Sequence, residues 1–555
     1  GTATHACFLL VLPLLYVCLS FTRVCSSVSP TSTGHALFLN PSSPYNAKVG
    51  SLRLRGGEDG SVRAGGDSGS SPPVPRGFMQ RFLIKDVFAS ESLLIGTRLV
   101  VCGWARTIRL QGSGKFAFLE LNDGSCFKSL QVFADPNTEG WQELVKNTHA
   151  HTSWRVTGKL VESPGSGQSV EVQAEGLQLL GSCSPDSYPL AKARLPLDFL
   201  RTIPHLRPRS NTYGAASRIR STLAFSVHKY FQEHGFQYVH TPLITTSNCE
   251  GAGELFSVST LMSKADTCYT PENRSWDYNQ DFFKRPTFLT VSGQLQAEAY
   301  ACALGNVYTF GPTFRAEESH TKRHLAEFWM IEPEMAFSNL QDVMENAEGL
   351  LKFVLKELML RNEQDLNFFD NACQKGMKGF SNVSLTGQIR DIIEKPFVRL
   401  AYGDAIDLLQ RSGKKFEMPA EWGNDLATEH EKYLCEEHFG GPVIVYDYPM
   451  DIKAFYMRLN DDDKTVAAMD ILFPRCGEMV GGSQREERID RLLGRIEELG
   501  LDGSSLEWYN DLRRFGGVPH AGYGLGFDRL VQFATGLENI RDVIPFPRAT
   551  GHAMC

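Results

Sequence analysis

Several side chains in the stretch Phe310–Glu332 have the chemistry needed to bind a nucleotide. Arg315 and Glu317 are two residues apart and Phe328 and Glu332 are four apart, so each pair shares one face if the chain is extended. An arginine fork binds phosphate, a glutamate accepts from an exocyclic amine, and a phenylalanine stacks on a base. The pattern therefore predicts a nucleotide site. For any one of these charges alone, a salt-bridged surface hairpin is the alternative.

Two strands joined by a polar loop must position these side chains, and the loop adds His324 with two neighbouring cations. Upstream, apolar residues recur every fourth position from Ile219 to Phe231 and predict an amphipathic helix that ends at Gly235. No GxGxxG follows a strand and no Walker lysine motif occurs, so a Rossmann or P-loop nucleotide site is not indicated.

The stretch FRAEESHTKRHLAEFWMIE, ending at Glu332, resembles motif 2 of the class II aminoacyl-tRNA synthetases in the form used by the aspartyl and asparaginyl enzymes. The helix and strand at Ser217–Pro242, followed by EGAGELF, resemble motif 1, and GYGLGFDRL at Gly522–Leu530 resembles motif 3. Three further blocks read LTVSGQLQAEAYACALG, VAAMDILFPRCGEMVGGSQREER and IRDVIPFPR. Together the blocks resemble the asparaginyl-tRNA synthetases of the bacterial type over about residues 82–548.

This resemblance implies ATP-dependent ligation of L-asparagine to tRNA(Asn) through an asparaginyl-adenylate, with release of AMP and pyrophosphate. ATP is then a substrate, and Mg²⁺ is the implied cation, with Glu478 as its first candidate ligand and Asp470 as its second. The implied catalytic residues are Arg315 and Arg529. The residues implied for ATP binding are Arg315, Glu317, His324, Phe328, Glu478 and Arg529. Those implied for asparagine binding are Glu250, Ser292, Gln294, Gln296, Glu332 and Arg485.

Amino-acid activation is compatible with these residue types. The asparagine carboxylate is already an anion, so the site must position the reactants and neutralise phosphate charge rather than supply a base. Under the resemblance, Arg315 holds the α-phosphate and the substrate carboxylate, Arg529 the γ-phosphate, and His324 the departing pyrophosphate. Arg485 donates to the carboxamide oxygen, while Glu332 accepts from the carboxamide nitrogen and repels aspartate.

Residues 82–183 contain five short β-type runs separated by turns, and the NDG sequence at Asn122–Gly124 marks a tight hairpin. This pattern predicts a five-stranded OB-fold barrel, a common platform for single-stranded nucleic acid. Phe118 and Gln131 match positions that bind an anticodon base in the aspartyl and asparaginyl group. Because Phe116 and Phe118 share one face of a strand, the alternative for Phe118 is a place in the barrel core.

The expected fold class is α+β, with the OB-fold barrel followed by a class II catalytic domain whose central antiparallel sheet is flanked by helices. Apolar stripes predict that residues 340–440 are a mostly helical insertion in that domain. The resemblance also implies a homodimer formed through the motif 1 unit. The expected segments are a presequence and disordered linker at 1–78, an anticodon-binding domain at 79–185, a hinge at 186–212 and the catalytic domain at 213–555.

The 555 residues include 56 basic and 64 acidic side chains, which give a net charge of -8. The overall basic charge common in nucleic-acid-binding proteins is missing, so contacts with RNA must come from local patches. Thirteen cysteines occur without a CxxC pair, which favours free thiols over a zinc knuckle or a disulfide framework.

The N-terminal segment is typical of a targeting signal. Residues 6–21 form a short apolar stretch of signal-peptide length, and no acidic residue precedes Glu58. An apolar core followed by an acid-poor, hydroxylated leader resembles the bipartite presequence of proteins sent to a plastid of secondary origin, an apicoplast or complex chloroplast. Mitochondrial import and secretion are the alternatives. Once the signal is removed, no membrane association is expected, because no other apolar run is long enough to span a bilayer.

Three other functions share parts of this pattern. An aspartyl-tRNA synthetase, whether discriminating or non-discriminating, would require a more cationic pocket and a QSPQ-type loop, whereas this loop reads SGQLQ. An ammonia-dependent asparagine synthetase would lack the anticodon-binding barrel. A non-catalytic RNA-binding descendant would be expected to lose ATP-site residues, yet Arg315, Glu317, Glu478 and Arg529 are all present.

Overall fold

The computed structural model describes residues 79–165, 167–190, 195–247, 255–264, 269–270 and 275–555. In its N-terminal part, five strands close into a barrel in the order β1-β2-β3-β5-β4. These are β1 (Arg98–Gln111), β2 (Phe116–Asn122), β3 (Leu130–Ala134), β4 (Ser153–Glu162) and β5 (Val170–Gly181). The helices α1 (Ile84–Ala89), α2 (Glu91–Leu94) and α3 (Trp141–Lys146) accompany them. The predicted five-stranded barrel is confirmed.

Alternation along β2 decides which side chains fill the barrel. Ala117 and Leu119 are buried in its core, while Phe116 and Phe118 are half-buried on the opposite face of the strand. The small and aliphatic residues take the interior because the barrel is narrow and side chains must fill it. Phe118 therefore lies on the outside of the barrel, and the alternative that placed it in the core is wrong.

The second part of the chain is built on an eight-stranded sheet in the order β13-β14-β15-β16-β17-β12-β11-β6. Neighbours from β14 to β11 are antiparallel, while β13 and β6 join the two edges as parallel strands. Short pairs of strands lie outside this sheet. The strands are β6 (Gln237–Tyr238), β7 (Ile244–Thr245), β8 (Tyr269–Thr270), β9 (Ser275–Trp276), β10 (Phe288–Leu289), β11 (Asn306–Phe314), β12 (Glu327–Ala336), β13 (Val398–Ala401), β14 (Val443–Pro449), β15 (Thr465–Phe473), β16 (Gly477–Gln484) and β17 (His520–Gly526).

Helices pack around this sheet. They are α4 (Leu197–Arg201), α5 (Asn211–Glu233), α6 (Gln294–Leu304), α7 (Leu340–Arg361), α8 (Glu363–Gln374), α9 (Leu385–Glu394), α10 (Tyr402–Arg411), α11 (Thr428–Lys432), α12 (Ile489–Glu498), α13 (Glu507–Arg514) and α14 (Phe527–Thr535). The apolar stripe of α5 from Ile219 to Phe231 is fully buried, and Gly235 follows with a φ of 77°, as the sequence predicts for a helix stop. The central antiparallel sheet flanked by helices is thus confirmed, with parallel strands at its edges.

Residues 340–440 contain α7 to α11, as the apolar stripes predict, and also the edge strand β13. β13 pairs in parallel with β14, so this segment extends the sheet as well as covering it. A four-residue strand is too short to show a period-two pattern, which explains why the sequence does not reveal it.

Several contacts join the barrel to the rest of the chain, among them a hydrogen bond from Arg106 of β1 to the Arg209 carbonyl. Arg218 on α5 donates to Asp365 at 2.7 Å and to the Gly124 carbonyl of the barrel at 3.2 Å. Nearby, the rings of Phe127 and Phe368 lie 5.1 Å apart. One arginine therefore connects a barrel turn with the long helix that packs on the sheet.

In the described part of the chain the cysteines are free thiols. None of the helices described there has the length and apolar character required to cross a bilayer.

Candidate active site

A cavity of about 600 Å³ opens over the strands β12, β15, β16 and β17 of the large sheet. The start of α6 and the segment from Asp451 to Met457 form its walls. Residues predicted from widely separated parts of the sequence meet here. The predicted residues that line it are Ser292, Gln294, Arg315, Glu332, Asp470, Glu478 and Arg485.

Arg315 and Phe328 lie side by side because the hairpin of β11 and β12 places them there. Phe314 and Glu327 pair in register at its end, and the Arg315 N–H donates to the Ala326 carbonyl at 3.0 Å. The Arg315 guanidinium carbon is 5.5 Å from the centre of the Phe328 ring. A base stacked on this ring would have its phosphates within reach of the guanidinium.

Several cations converge where the hairpin loop meets the cavity. Burial and the charge of Arg529 lower the pKa of His324 below its ordinary value. Arg315 and Arg323 also lower it, while the exposed carboxylate of Glu317 raises it. The imidazole is therefore neutral at pH 7. Positive charge for phosphate oxygens comes from the three arginines, and His324 can add only a neutral hydrogen bond.

Two carboxylates approach each other above Gly481. A Cβ at position 481 would lie 2.9 Å from Glu478 Oε1 and 3.4 Å from Asp470 Oδ1, so a glycine is needed there. Burial and the charge of Asp470 raise the pKa of Glu478, and Lys453 donates to Asp470 at 2.7 Å. A divalent cation would relieve this repulsion, so the pair fits Mg²⁺, which prefers hard oxygen ligands.

The described residues hold no cluster of three or more metal-ligating side chains. This agrees with the usual behaviour of Mg²⁺, which takes one or two carboxylates and completes its shell with phosphate oxygens and water. Asp470 and Glu478 would then hold the cation together with a bound nucleotide.

Arg529 lies next to the carboxylate pair, near the start of α14, and donates to the Glu478 carbonyl. Its position is fixed by the buried side chain of Asp528, which accepts from the Trp329 backbone N–H at 2.8 Å and pairs with Arg220. Since Trp329 belongs to β12, the helix carrying Arg529 is tied directly to the strand carrying Phe328.

Arg485 is held by Glu334, a residue that the sequence analysis does not name. Its Nε and Nη2 donate to the two oxygens of Glu334, and Nη1 donates to Ser483 Oγ at 2.7 Å. The carboxylate of Glu334 occupies the space in which a Cβ at Gly522 would lie. Alternation places Glu334, two residues further along β12, on the same face as Glu332, so the sequence pattern could have identified Glu334 as a site residue.

Glu332 instead holds the loop before α6. Its carboxylate accepts from the Ser292 hydroxyl, from the Gly293 N–H at 3.0 Å and from the Thr309 hydroxyl at 2.9 Å. The Gly293 N–H also lies 3.2 Å from the other oxygen, so each oxygen of Glu332 has two donors against it, and the carboxylate still lines the cavity.

Two family profiles match the chain. The family described as tRNA synthetases class II (D, K and N) matches residues 198–550, and the OB-fold nucleic acid binding domain matches residues 99–180. The asparagine–tRNA ligase of Protochlamydia amoebophila (strain UWE25) is 52% identical over 460 residues, which cover 83% of this chain and 96% of that protein. The chain belongs to the asparagine–tRNA ligases, a class II aminoacyl-tRNA synthetase family.

Other relatives support the assignment to the asparagine–tRNA ligases. A ligase of Arabidopsis thaliana described as "Asparagine--tRNA ligase, chloroplastic/mitochondrial" is 52% identical over 469 residues, 83% of this chain and 81% of that protein. The crystal structure of asparaginyl-tRNA synthetase from Pyrococcus horikoshii complexed with asparaginyl-adenylate superposes with a TM-score of 0.72 at 31% identity, covering 86% of this chain and 99% of that one. The resemblance drawn from the sequence blocks is confirmed.

Two residues predicted for asparagine binding in this ligase are not found at the cavity. Gln296 lines a separate cleft with Thr245, Arg285 and Trp508. Residues 294 and 296 are both on α6, where two positions differ by about 200° around the axis, so they point to opposite sides. Glu250 lies outside the described residues.

The OB-fold barrel of the ligase presents an aromatic face. The Phe118 ring centre is 5.7 Å from those of Phe116 and Phe133, and all three rings are half-buried on the outer surface. Beside them, Gln131 donates to Glu171 at 2.8 Å. Half-exposed rings next to an amide are the side chains that bind single-stranded bases.

Glu431 is a site residue that the sequence analysis missed. Burial and Glu478 raise its pKa to about 7, while Arg323 and Arg529 oppose the shift. Its Oε2 would lie 2.5 Å from a Cβ at Gly477, the residue before Glu478. It belongs to the short helix α11, more than thirty residues before the nearest recognised block at Val466, so no local pattern connects it with the site.

Proposed function

We propose that this asparagine–tRNA ligase binds ATP and asparagine side by side in the 600 Å³ cavity. The observation that carries the proposal is the separation of charges across one cavity floor. Arg315, with Asp470 and Glu478, lies where a triphosphate and its cation would bind, and Arg485 lies over the strands where an amino-acid side chain would end.

In the activation step, a carboxylate oxygen of asparagine forms a bond to the α-phosphorus of ATP as the bond to pyrophosphate breaks, and no proton is transferred. Arg315 binds both reacting groups, Arg529 and neutral His324 bind the departing phosphates, and Phe328 stacks on adenine. Glu317 accepts from the adenine amino group. Glu478 and Asp470 would hold Mg²⁺, which would neutralise phosphate charge.

For the asparagine side chain, Arg485 has N–H groups beyond those bound by Glu334 and Ser483, and these donate to the carboxamide oxygen. Glu332, which lines the same cavity, accepts from the carboxamide N–H. Ser292 and Gln294 line the same wall and complete the pocket.

The test is amino-acid-dependent pyrophosphate exchange on the chain lacking residues 1–78. We expect asparagine to support exchange, and aspartate and lysine to support little, because only a carboxamide offers both an acceptor for Arg485 and a donor for Glu332. Exchange with aspartate equal to that with asparagine would contradict the placement of these two residues and favour the non-discriminating aspartyl enzyme.

For the transfer step, tRNA(Asn) must contact both the barrel and the catalytic domain. We infer that the aromatic face at Phe118 and Gln131 binds an anticodon base and that the asparaginyl group passes to the 3′-hydroxyl of the terminal adenosine. The acidic chain would contact RNA through such local surfaces.

We infer that the ligase works as a homodimer. Along the motif 1 unit, large apolar side chains are exposed in a single chain: Phe225 by 66%, Tyr238 by 40% and Ile244 by 41%. Contiguous exposed apolar groups of this kind usually mark an interface. Sedimentation should give the mass of two chains, and a single-chain mass at assay concentration would exclude the dimer.

We infer that the enzyme serves protein synthesis in an organelle. The support is the acid-poor leader with its apolar core, together with the high identity to a relative described as chloroplastic/mitochondrial. A fluorescent protein carrying residues 1–78 should accumulate in a plastid of secondary origin in cells of the source organism. Accumulation in mitochondria would support the alternative address, and secretion would contradict both.

A further inference from the structure

Behind the proposed asparagine pocket, charged and phenolic side chains form a hydrogen-bonded group shielded from solvent, here named the buried cluster. Glu298 and Glu334 are both 0% exposed and Arg485 is 2% exposed. Its members are Glu298, Glu334, Arg485, Tyr509, Arg513 and His520. They come from α6, β12, α13, β17 and the residue that follows β16, so the cluster joins the pocket wall to the sheet.

One oxygen of Glu298 is committed to the interior of the cluster. Its Oε2 accepts from the Tyr509 hydroxyl at 2.7 Å and from Arg513 Nη2 at 3.0 Å, and it lies 2.9 Å from His520 Nε2. Burial alone would raise the pKa of Glu298, but Arg513, His520 and Arg485 lower it below its ordinary value. Glu298 therefore carries a full negative charge.

The other oxygen contacts a residue that lines the cavity. Glu298 Oε1 accepts from Gln294 Nε2 at 3.1 Å and lies 3.9 Å from Arg485 Nε. Arg485 consequently has two carboxylates against it, Glu334 in a two-bond contact and Glu298 at the edge of ion-pair distance. Burial raises the pKa of Glu334 to about 7 against the opposing charge of Arg485, so Glu298 supplies the compensating charge that does not depend on the protonation of Glu334.

A guanidinium whose charge is already offset by neighbouring carboxylates binds a carboxamide and a carboxylate with different energies. It can still donate a hydrogen bond to a neutral amide oxygen at little cost. A carboxylate would bring a further negative charge into a buried site in which the three carboxylates Glu298, Glu334 and Glu332 already outnumber the two cations Arg485 and Arg513, and burying an uncompensated charge is costly. Such a site favours a neutral ligand.

We propose that Glu298 is a specificity-determining residue of this ligase, whose charge acts through Arg485 to make the pocket accept asparagine and reject aspartate. The proposal rests on the proposed placement of the asparagine side chain against Arg485. Glu298 is the informative member, because Glu334 is needed to hold Arg485 in place while Glu298 contributes charge from a greater distance.

Glu298→Gln tests this inference, because it removes the charge and keeps the shape of the side chain. Relative to asparagine, kcat/KM for aspartate in pyrophosphate exchange should rise by about tenfold or more, the size expected when one charge a few ångströms away is lost. Tyr509→Phe is the matched control: it removes a hydrogen bond to the same carboxylate without changing the charge, and should leave the asparagine/aspartate ratio unchanged.

A purely structural role would give a different result. If Glu298→Gln lowers exchange with both amino acids by the same factor, the proposal is wrong and Glu298 only supports packing. Should the single variant fail to fold because Arg513 loses its partner, Glu298→Gln combined with Arg513→Gln replaces the pair by two amides, and the same relaxation is expected. Absence of asparagine-dependent exchange in the unmodified chain would instead refute the proposed function.

Discussion

Replacing Arg315 by alanine should lower asparagine-dependent pyrophosphate exchange by about 10²–10³-fold, the usual loss when a transition-state charge contact is removed. Arg315 lies 5.5 Å from the Phe328 ring at the mouth of the hairpin, where its fork can bind the α-phosphate and the attacking carboxylate together. Arg315→Lys should remain strongly impaired, because a point charge cannot bind both groups.

The matched control for this experiment is Arg411→Ala, the same change at an exposed arginine of α10 that pairs only with Asp407 within its own helix. Activity of the control should equal that of the unmodified chain. Unchanged sedimentation and thermal unfolding of Arg315→Ala would show that the loss is chemical. Exchange within tenfold of the unmodified chain would remove Arg315 from the ATP site.

Replacing Phe118 by alanine should lower charging of tRNA(Asn) by about 5- to 150-fold, since one stacked base contributes roughly 1–3 kcal/mol. Pyrophosphate exchange should be unaffected, because activation in the catalytic domain makes no use of the outer barrel face. Gln131→Ala should act in the same direction with a smaller effect. The two rates are to be measured on the same preparation.

Leu180→Ala provides the control on the barrel, since Leu180 is an apolar side chain of β5 that is 55% exposed and belongs to no aromatic group. It should charge tRNA normally. Equal loss of exchange and charging in Phe118→Ala would show that the ring supports the fold rather than binding RNA.

Alternation predicts much of this architecture. In β2 it separates the core face from the aromatic outer face, in β12 it places Phe328 and Glu332 on one face, and the blocks around Arg315, Glu478 and Arg529 predict that these side chains meet. The prediction works because a strand fixes side-chain direction with period two, and the position of a residue on its strand is a local property.

Partner choice is not local, and the sequence analysis does not identify Glu334 as the partner of Arg485. Glu332 and Glu334 lie on the same face of β12, so alternation cannot decide which of them pairs with Arg485; the offset between β12 and β16, set by β17 between them, decides it. Gln296 is misplaced for another reason. The segment SGQLQ resembles a binding loop, but α6 begins at Gln294, and a helix turns the side chain at 296 away from the pocket.

The floor of the cavity owes part of its depth to two positions that carry no side chain, Gly481 and Gly524. A Cβ at Gly481 would collide with the Glu478 carboxylate, and one at Gly524 would collide with the end of the Met330 side chain. A substitution at either glycine would therefore only reduce the room. Engineering the ligase for a bulkier amino acid must instead shorten side chains that line the cavity, such as Met330 in the floor or Phe455 and Tyr456 in the wall.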